Sequence, residues 1–333
     1  MKYKSVVATR RGGPEVLQVI ENDLREPAPG EVRMRVLAAG VSRTDINYRY
    51  GYSPLAPKAP FVPGYQVVGQ VDALGSGVSN VAVGERVAAL IGHGGYTEML
   101  YLGREHLAPV PDSIDPAEAV IVVLNYVSAQ QMLQRVARVK AGDKVLVIGA
   151  SGGVGTALLQ LGGLEGLKIY GTASTSKHAA IAALGAIPVD YHNPDFVEVI
   201  RQAEPDGLDF IFDGMGGKES ERASKLLKRP GKLVAYAAPN GLGSLLGGAL
   251  KLAVANLPFS ATNAAFYGIT VMYMQDKKPF MDDLQLLFKL LKDGQIKPLI
   301  SERFPILEAR KANELLESGQ VTGNIVLLAP ELL

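Results

Sequence analysis

The segment Gly149-Ala150-Ser151-Gly152-Gly153-Val154-Gly155 has residue types and spacing suited to holding a diphosphate. Ala150, Gly152 and Gly155 form an A-x-G-x-x-G core. Gly152 lets the backbone approach a pyrophosphate with no side chain in the way, and Gly155 lets a helix pack close to the strand before it. The pyrophosphate then meets free N–H groups at the positive end of a helix dipole. Ala150, Ser151, Gly152, Gly153, Val154 and Gly155 are therefore expected to bind a dinucleotide, provided that a strand precedes them and a helix follows.

The same residues overlap a second pattern. Gly149-Ala150-Ser151-Gly152-Gly153 fits G-x-S-x-G, the nucleophile elbow of hydrolases, which also lies between strand and helix. That chemistry needs an acid and then a histidine further along the chain. The later histidines are His178 and His192, soon after the motif, and none lies beyond them. A hydrolase stays the minor alternative.

The end of the second strand separates two cofactors. An NAD site places an acid about 20 residues beyond the glycines, on the ribose 2′-hydroxyl. Here that segment is Gly171-Thr172-Ala173-Ser174-Thr175-Ser176-Lys177-His178, with no acid. Hydroxyls and a lysine suit a 2′-phosphate, which needs donors and positive charge. The other reading is a polar loop with an N-cap serine. The phosphate reading also accounts for the missing acid, so NADPH is the expected cofactor.

A turn of this kind needs a parallel sheet behind it. Val145, Leu146, Val147 and Ile148 form a continuous apolar run, as in a strand covered on both faces. Further strands are expected at residues 168–172, 208–213, 232–237 and 269–274. Helical patterns lie between them: residues 176–184, stopped by Gly185, and a helix opened by Asn193-Pro194. Strands alternating with helices indicate an α/β, doubly wound parallel sheet. The region before it differs. Val32, Met34 and Val36 alternate with Arg33 and Arg35, and glycine and proline recur, as in short antiparallel strands joined by tight turns. After it, residues 279–291 read as a helix, 300–304 and 324–328 as strands and 307–317 as a helix. These return to the first domain. The expected division is 1–123, 124–272 and 273–333, with the outer two segments forming one domain.

Composition narrows the chemistry. The chain has 333 residues, 47% of them apolar, a net charge of +1 and no cysteine. The length suits two domains. The charge gives no basic excess for nucleic acid. Disulfides and thiolate metal sites are excluded, and His93, His106, His178 and His192 form no helical metal pair. The first residues lack the apolar core of a secretory signal and no stretch is long enough to span a bilayer, so a cytoplasmic location is expected. Leu245, Leu246, Ala249, Leu250, Ala253, Val254 and Leu257 make an apolar face at helical spacing. It suits a core, a dimer interface, a lipophilic substrate wall or a membrane contact.

Several patches together resemble the medium-chain dehydrogenase/reductase superfamily, in its zinc-free quinone oxidoreductase branch. They are Gly40-Val41 with Asp45, Val62-Pro63-Gly64, Val83-Gly84-Glu85-Arg86-Val87, Gly95-Tyr96-Thr97-Glu98, the glycine motif, Asp213 with Gly216-Gly217, and residues 319–327. Leu124-Asn125-Tyr126, residues 171–178, Asp190-Tyr191-His192 and Gly294-Gln295-Ile296-Lys297-Pro298 look most like the VAT-1-like proteins of that branch. The resemblance implies a Rossmann domain set within a GroES-like, β-rich catalytic domain. It implies hydride transfer from NADPH to a quinone or an electron-poor C=C bond, and a homodimer in which the sheet strands near residues 269–274 pair edge to edge.

It also implies roles. Ser42 stands where zinc-dependent relatives carry cysteine, and Tyr65-Gln66 where they carry histidine and glutamate, so no metal is expected. Without zinc an alcohol oxygen is not polarised in the usual way, whereas a conjugated acceptor delocalises its charge. Ser128 matches a residue at the nicotinamide end. Ser174, Lys177 and Tyr191 match residues holding the 2′-phosphate and adenosine end. Asp45 matches either a cleft residue or a helix support. Tyr52 or Tyr48 could protonate the enolate left by hydride attack, or both could simply line an aromatic wall. Ser42 and Asn125 complete the candidate catalytic set. Tyr48, Tyr52, Asn125 and residues 242–267 are expected to wall a site for a lipophilic small-molecule acceptor. Ser42, Ser53 and Asn324 depart from common family residues, which keeps open a second possibility: a protein that binds NADPH and lipid or membrane with little turnover.

Overall fold

The structure is a computed structural model, and it describes residues 1–79, 81–193, 196–236 and 263–333. The chain divides into two units, Met1–Leu124 with Lys278–Leu333, and Asn125–Lys277.

In the first unit, β1 (Lys2–Ala8) and β2 (Leu17–Asp23) pair as an antiparallel ribbon. The main sheet follows with β3 (Glu31–Val41), β4 (Gln66–Leu74), β5 (Arg86–Leu90), β6 (Met99–Gly103) and β7 (Ala108–Pro109). The alternation read in β3 holds. Val32, Met34 and Val36 are buried, while Arg33 reaches outward to Asp72 on β4. From Val36 to Val41 every residue of β3 is buried, and the helices Pro116–Ile121 and Ala309–Glu317 both pack on this strand.

The second unit is a six-stranded parallel sheet. Its strands are β8 (Lys144–Ile148), β9 (Lys168–Ala173), β10 (Ile187–Asp190), β11 (Leu208–Asp213), β12 (Leu227–Ala235) and β13 (Asn263–Phe266). Their order is β10-β9-β8-β11-β12-β13. The chain winds outward one way from β8 and then the other way from β11, which makes the β8–β11 boundary the topological switch point of a Rossmann sheet. Leu146, Ile148, Tyr170, Ile200 and Ile211 belong to one buried cluster on this sheet. Each such side chain, fully buried, stabilises the fold by roughly 1.5–3 kcal/mol.

Residues 269–274 are not a strand. They lie in the helix Ile269–Gln275, and the sixth strand, β13, comes before it. Ile-Thr-Val-Met-Tyr-Met alternates well enough to read as β, but Ile269 and Tyr273 are the buried pair, four residues apart, and Val271, Met272 and Met274 are exposed. Helical packing overrides local β propensity here. The pairing surface expected on residues 269–274 therefore loses its strand. β12 begins at Leu227 rather than Lys232; its expected end at Ala237, the proline of Asn193-Pro194 and the apolar face at residues 245–257 lie outside the described residues.

The chain then returns to the first unit. β14 (Ile300–Pro305) and β15 (Asn324–Leu328) join the main sheet, whose order is β14-β15-β3-β4-β5-β7 with β6 also paired to β3. Ile325, Val326 and Leu327 are fully buried against it. The helix Ala309–Glu317 packs on β15 and β3. Both ends of the chain thus build one sheet. Among the described residues no helix is long and apolar enough to cross a membrane.

Candidate functional site

The glycine segment forms a tight turn between β8 and the helix Gly153–Leu164. Gly149 adopts φ +81°, in the region that favours glycine. The turn is tied sideways to β9: Gly149 N donates to Thr172 Oγ1 at 3.2 Å and Ala150 N to the Thr172 carbonyl at 3.1 Å. The two other motif glycines answer different needs. A Cβ at Gly155 would lie 2.3 Å from the Gly149 carbonyl oxygen, so the fold itself requires glycine there. Among the described residues a Cβ at Gly152 would meet that same oxygen alone, at 3.5 Å, and Gly152 has φ −82°. Neither packing nor backbone conformation demands glycine at 152. The space in front of it fits a group brought from outside. Gly152 is the N-cap and offers no side chain to the first-turn N–H groups, which by geometry have no partner within the helix.

The second unit carries other candidates and supports. The helix Val127–Gln131, which carries buried Ser128, packs against the helix Gly153–Leu164. Asn125 lies nearly buried in the π-helical turn Val122–Tyr126 just before it. Beyond β11, Asp213 accepts from Met215 N and Gly216 N, both at 2.9 Å. This folds Met215 against Gly149, where a Cβ would lie 3.2 Å from Met215 Cγ. Burial and the Asp213 charge push the Tyr236 hydroxyl well above the usual tyrosine range. Met215 was not singled out from sequence, because nothing in Gly214-Met215-Gly216 announces that it crosses to the glycine turn.

Ser174 and Tyr191 directly follow the carboxyl ends of β9 and β10, and Lys177 closes the short turn after Ser174. Ala173 pairs with Asp190 across the two strands, so the residues that follow each are neighbours. Ser174 caps the short turn Thr175–Lys177 and its hydroxyl lies 3.3 Å from that of Ser176. Lys177 is half-buried, and burial pulls its ammonium below the usual lysine range. An anion beside it would reverse that direction. Tyr191 is half-exposed with its ring 4.1 Å from His192. An acid does stand here, on the third strand. Asp190 accepts from His192 N at 2.9 Å and Thr175 Oγ1 at 2.8 Å, which hold its carboxyl below the usual range. Its role is to brace the turn, a role invisible in a search for an acid at the end of β9.

In the first unit, the helix Arg43–Tyr50 carries or adjoins the remaining candidates. Ser42 is its N-cap. Ser42 Oγ donates to Asp45 Oδ2 at 2.6 Å, and Asp45 N donates back to Ser42 Oγ at 3.3 Å. Asp45 Oδ1 accepts from Gly64 N at 2.9 Å. Burial pushes the Asp45 carboxyl up, against these hydrogen bonds. Asp45 thus supports the helix, and the Ser42 proton is committed to it. Tyr48 is buried with its ring 6.0 Å from that of Tyr65, and Gln66 is buried beside them in sequence. Tyr52 is 42% exposed and stacks on Tyr50 at 5.2 Å. Of the candidate catalytic residues, Ser42, Tyr48 and Tyr52 share this unit, while Asn125 belongs to the other. Among the described residues, no three His, Asp or Glu side chains converge as a metal would require. A cavity of about 490 Å³ in the first unit, walled in part by Leu24, Val36, Met99 and Ile306, includes none of the candidates.

Two family models match the chain, the second across the boundary at Lys277–Lys278. Residues 28–112 match the alcohol dehydrogenase GroES-like domain, and residues 184–327 match a family described as zinc-binding dehydrogenase. The human synaptic vesicle membrane protein VAT-1 homolog is 30% identical over 98% of this chain and 86% of its own length. A quinone oxidoreductase from Pseudomonas aeruginosa is 31% identical over 95% of this chain and 97% of its own. The crystal structure of Escherichia coli quinone oxidoreductase complexed with NADPH superposes with a TM-score of 0.88 at 25% identity, covering 98% of this chain and 99% of that one.

Proposed function

Because the chain belongs to the quinone oxidoreductase branch of the medium-chain dehydrogenase/reductase superfamily, we propose that it is an NADPH-dependent reductase of quinones or activated C=C bonds, enones or enoyl thioesters, acting without zinc. The observation that carries this reading is Gly152, a glycine that the protein's own packing does not need. Ala150, Ser151, Gly152, Gly153, Val154 and Gly155 would receive the pyrophosphate on backbone N–H groups. Ser174, Lys177 and Tyr191 would hold the 2′-phosphate and adenosine end, and Ser128 the nicotinamide end. When bound, NADPH supplies the hydride. The chain's own work is to orient the acceptor and return a proton. Tyr52 is the preferred donor to the enolate, because it is exposed where Tyr48 is buried. Ser42, whose proton is engaged by Asp45, acts by fixing the helix beneath the two tyrosines. Asn125 is the candidate for contact with the acceptor that the second unit supplies. Tyr65 and Gln66 in place of metal ligands support zinc independence.

Residues 1–123 with 273–333 are read as the catalytic domain and 124–272 as the NADPH domain, in a cytoplasmic homodimer. The test is NADPH oxidation against a panel of quinones, enones and enoyl thioesters, with and without a chelator. Bulky, lipophilic acceptors should be reduced best, with affinity rising by ~0.8 kcal/mol per buried methylene. Chelation should change nothing. Short polar acceptors outperforming long apolar ones would sink the acceptor reading, and chelator-sensitive turnover would sink zinc independence. The similarity to VAT-1 homologs favours a second reading, NADPH and membrane binding with little turnover. It prevails if no acceptor is reduced while lipid vesicles bind the protein and NADPH tightens that binding.

A further inference from the structure

The helix Arg43–Tyr50 ends in two side chains that the proposed reaction leaves without a task, Arg49 and Tyr50. Arg49 is fully buried. Its Nη1 donates to the Gly12 carbonyl at 2.6 Å and its Nη2 to Glu317 Oε1. Its guanidinium lies 5.0 Å from the Tyr50 ring centroid. The Tyr50 hydroxyl donates to the other carboxylate oxygen of Glu317 at 3.1 Å. Glu317 arrives from the far end of the chain, as the last residue of the helix Ala309–Glu317. One carboxylate therefore holds both a buried cation and a phenol.

That phenol is the platform for Tyr52. Gly51, at φ +75°, ends the helix in the left-handed conformation and turns the chain back, so the rings of Tyr50 and Tyr52 lie 5.2 Å apart and 8° from parallel. Arg11 brackets the same loop, donating to the Tyr48 carbonyl and, at 2.6 Å, to the Pro57 carbonyl. A half-exposed tyrosine by itself samples several rotamers, whereas an anchored ring beneath it selects one. With Arg49 fully buried, leaving its charge unpaired is costly, which holds Glu317 in place against it.

We propose that Glu317 is a positioning residue for Tyr52, acting through Tyr50: it fixes the Tyr50 ring, and the stacked Tyr52 hydroxyl is thereby presented to the acceptor at one angle. This rests on the reading of Tyr52 as proton donor. Burial and the Glu317 charge raise the Tyr50 hydroxyl above its ordinary range, which keeps Tyr50 protonated and bonded to Glu317.

The test is steady-state reduction of 2-cyclohexenone and of a naphthoquinone at saturating NADPH, for Tyr50→Phe, Glu317→Ala, Glu317→Gln, Tyr52→Phe and the double variant Tyr50→Phe/Tyr52→Phe. Tyr50→Phe keeps the ring and removes the anchor. It should lower kcat on the enone by roughly three- to tenfold with KM unchanged, as expected of a misaimed group, and lower quinone turnover less. Glu317→Ala should do the same and Glu317→Gln should restore part of the loss, since its amide oxygen can accept from Arg49 while its NH2 donates to the Tyr50 hydroxyl oxygen and keeps that ring anchored. If Glu317→Ala loses the fold, read as Tm, Tyr50→Phe carries the test. The double variant should be no slower than Tyr52→Phe alone. Additive losses, or equal losses on enone and quinone, overturn the inference. If Tyr52→Phe slows the enone while Tyr50→Phe does not, the positioning role fails and the donor survives. If Tyr52→Phe is itself silent, the donor reading fails and takes the positioning role with it.

Discussion

Lys177 sits half-buried at the end of the short turn that follows β9. Burial already works against its charge, so a phosphate beside it would gain more than one beside a solvated lysine. A hydrogen bond to a charged group contributes roughly 1.5–3 kcal/mol. Lys177→Ala should therefore weaken NADPH by tens of fold, measured by fluorescence titration, and leave NADH nearly unchanged. An equal loss for both cofactors would place Lys177 elsewhere than on the 2′-phosphate. At this scale the sequence was most readable where a residue acts through its own type and neighbours, as Gly155 does. It was least readable where a role depends on a distant partner. Asp190, Met215 and Glu317 each act on a residue from another strand or helix, and no local pattern announces that.

The glycine turn separates two requirements that the sequence motif writes as one. Gly155→Ala places a methyl group 2.3 Å from a backbone oxygen and should lower Tm sharply. Gly152→Ala should leave Tm almost unchanged and weaken NADPH severely, because its methyl would occupy the open space that the proposed site gives to the pyrophosphate. If Gly152→Ala binds NADPH normally, the turn is structural and the site is wrong. At the opposite ends of β8 and β9, nearly buried Glu204 accepts from Lys144 at 2.5 Å, Lys168 at 2.6 Å and the Tyr170 hydroxyl at 2.8 Å. Burial opposes its ionisation, but these donors prevail and bring its carboxyl down to about 2. Its unfolded value is about 4.3. The folded value is the lower one, so this contribution is present above the unfolded value and is lost as pH falls from about 4.3 through about 2. Thermal melts across that window should fall more steeply for the unmodified protein than for Glu204→Gln; parallel curves would show that Glu204 does not link folding to pH. Strands β8, β9 and β11 and the helix Lys278–Lys292 were legible from periodicity, whereas β10 and β13 of the same parallel sheet were not assigned. The helix Ile269–Gln275 was not, since β-branched and aromatic residues alternate there while the burial follows a helical period.

At the scale of the whole molecule, two architectures share one chain: a sheet to which β14 and β15 return beside β3, and a doubly wound parallel sheet made by the middle of the sequence. The change of rhythm near Asn125 and the return of the tail were both visible in the sequence, because antiparallel strands alternate and buried parallel strands do not. The acceptor was less legible. Its specificity depends on how side chains from separate segments meet, and the segment expected to supply much of the apolar wall, residues 242–267, falls largely outside the described residues. The cofactor is the more direct point of attack, since the Gly152 space and the Ser174, Lys177 and Tyr191 grouping both belong to one unit. The decisive measurement is calorimetric titration of the unmodified protein with NADPH and with NADH under the same salt. One charge-assisted phosphate contact predicts NADPH binding tighter by at least about tenfold. Equal affinities, or no binding of either, would contradict the account at its centre.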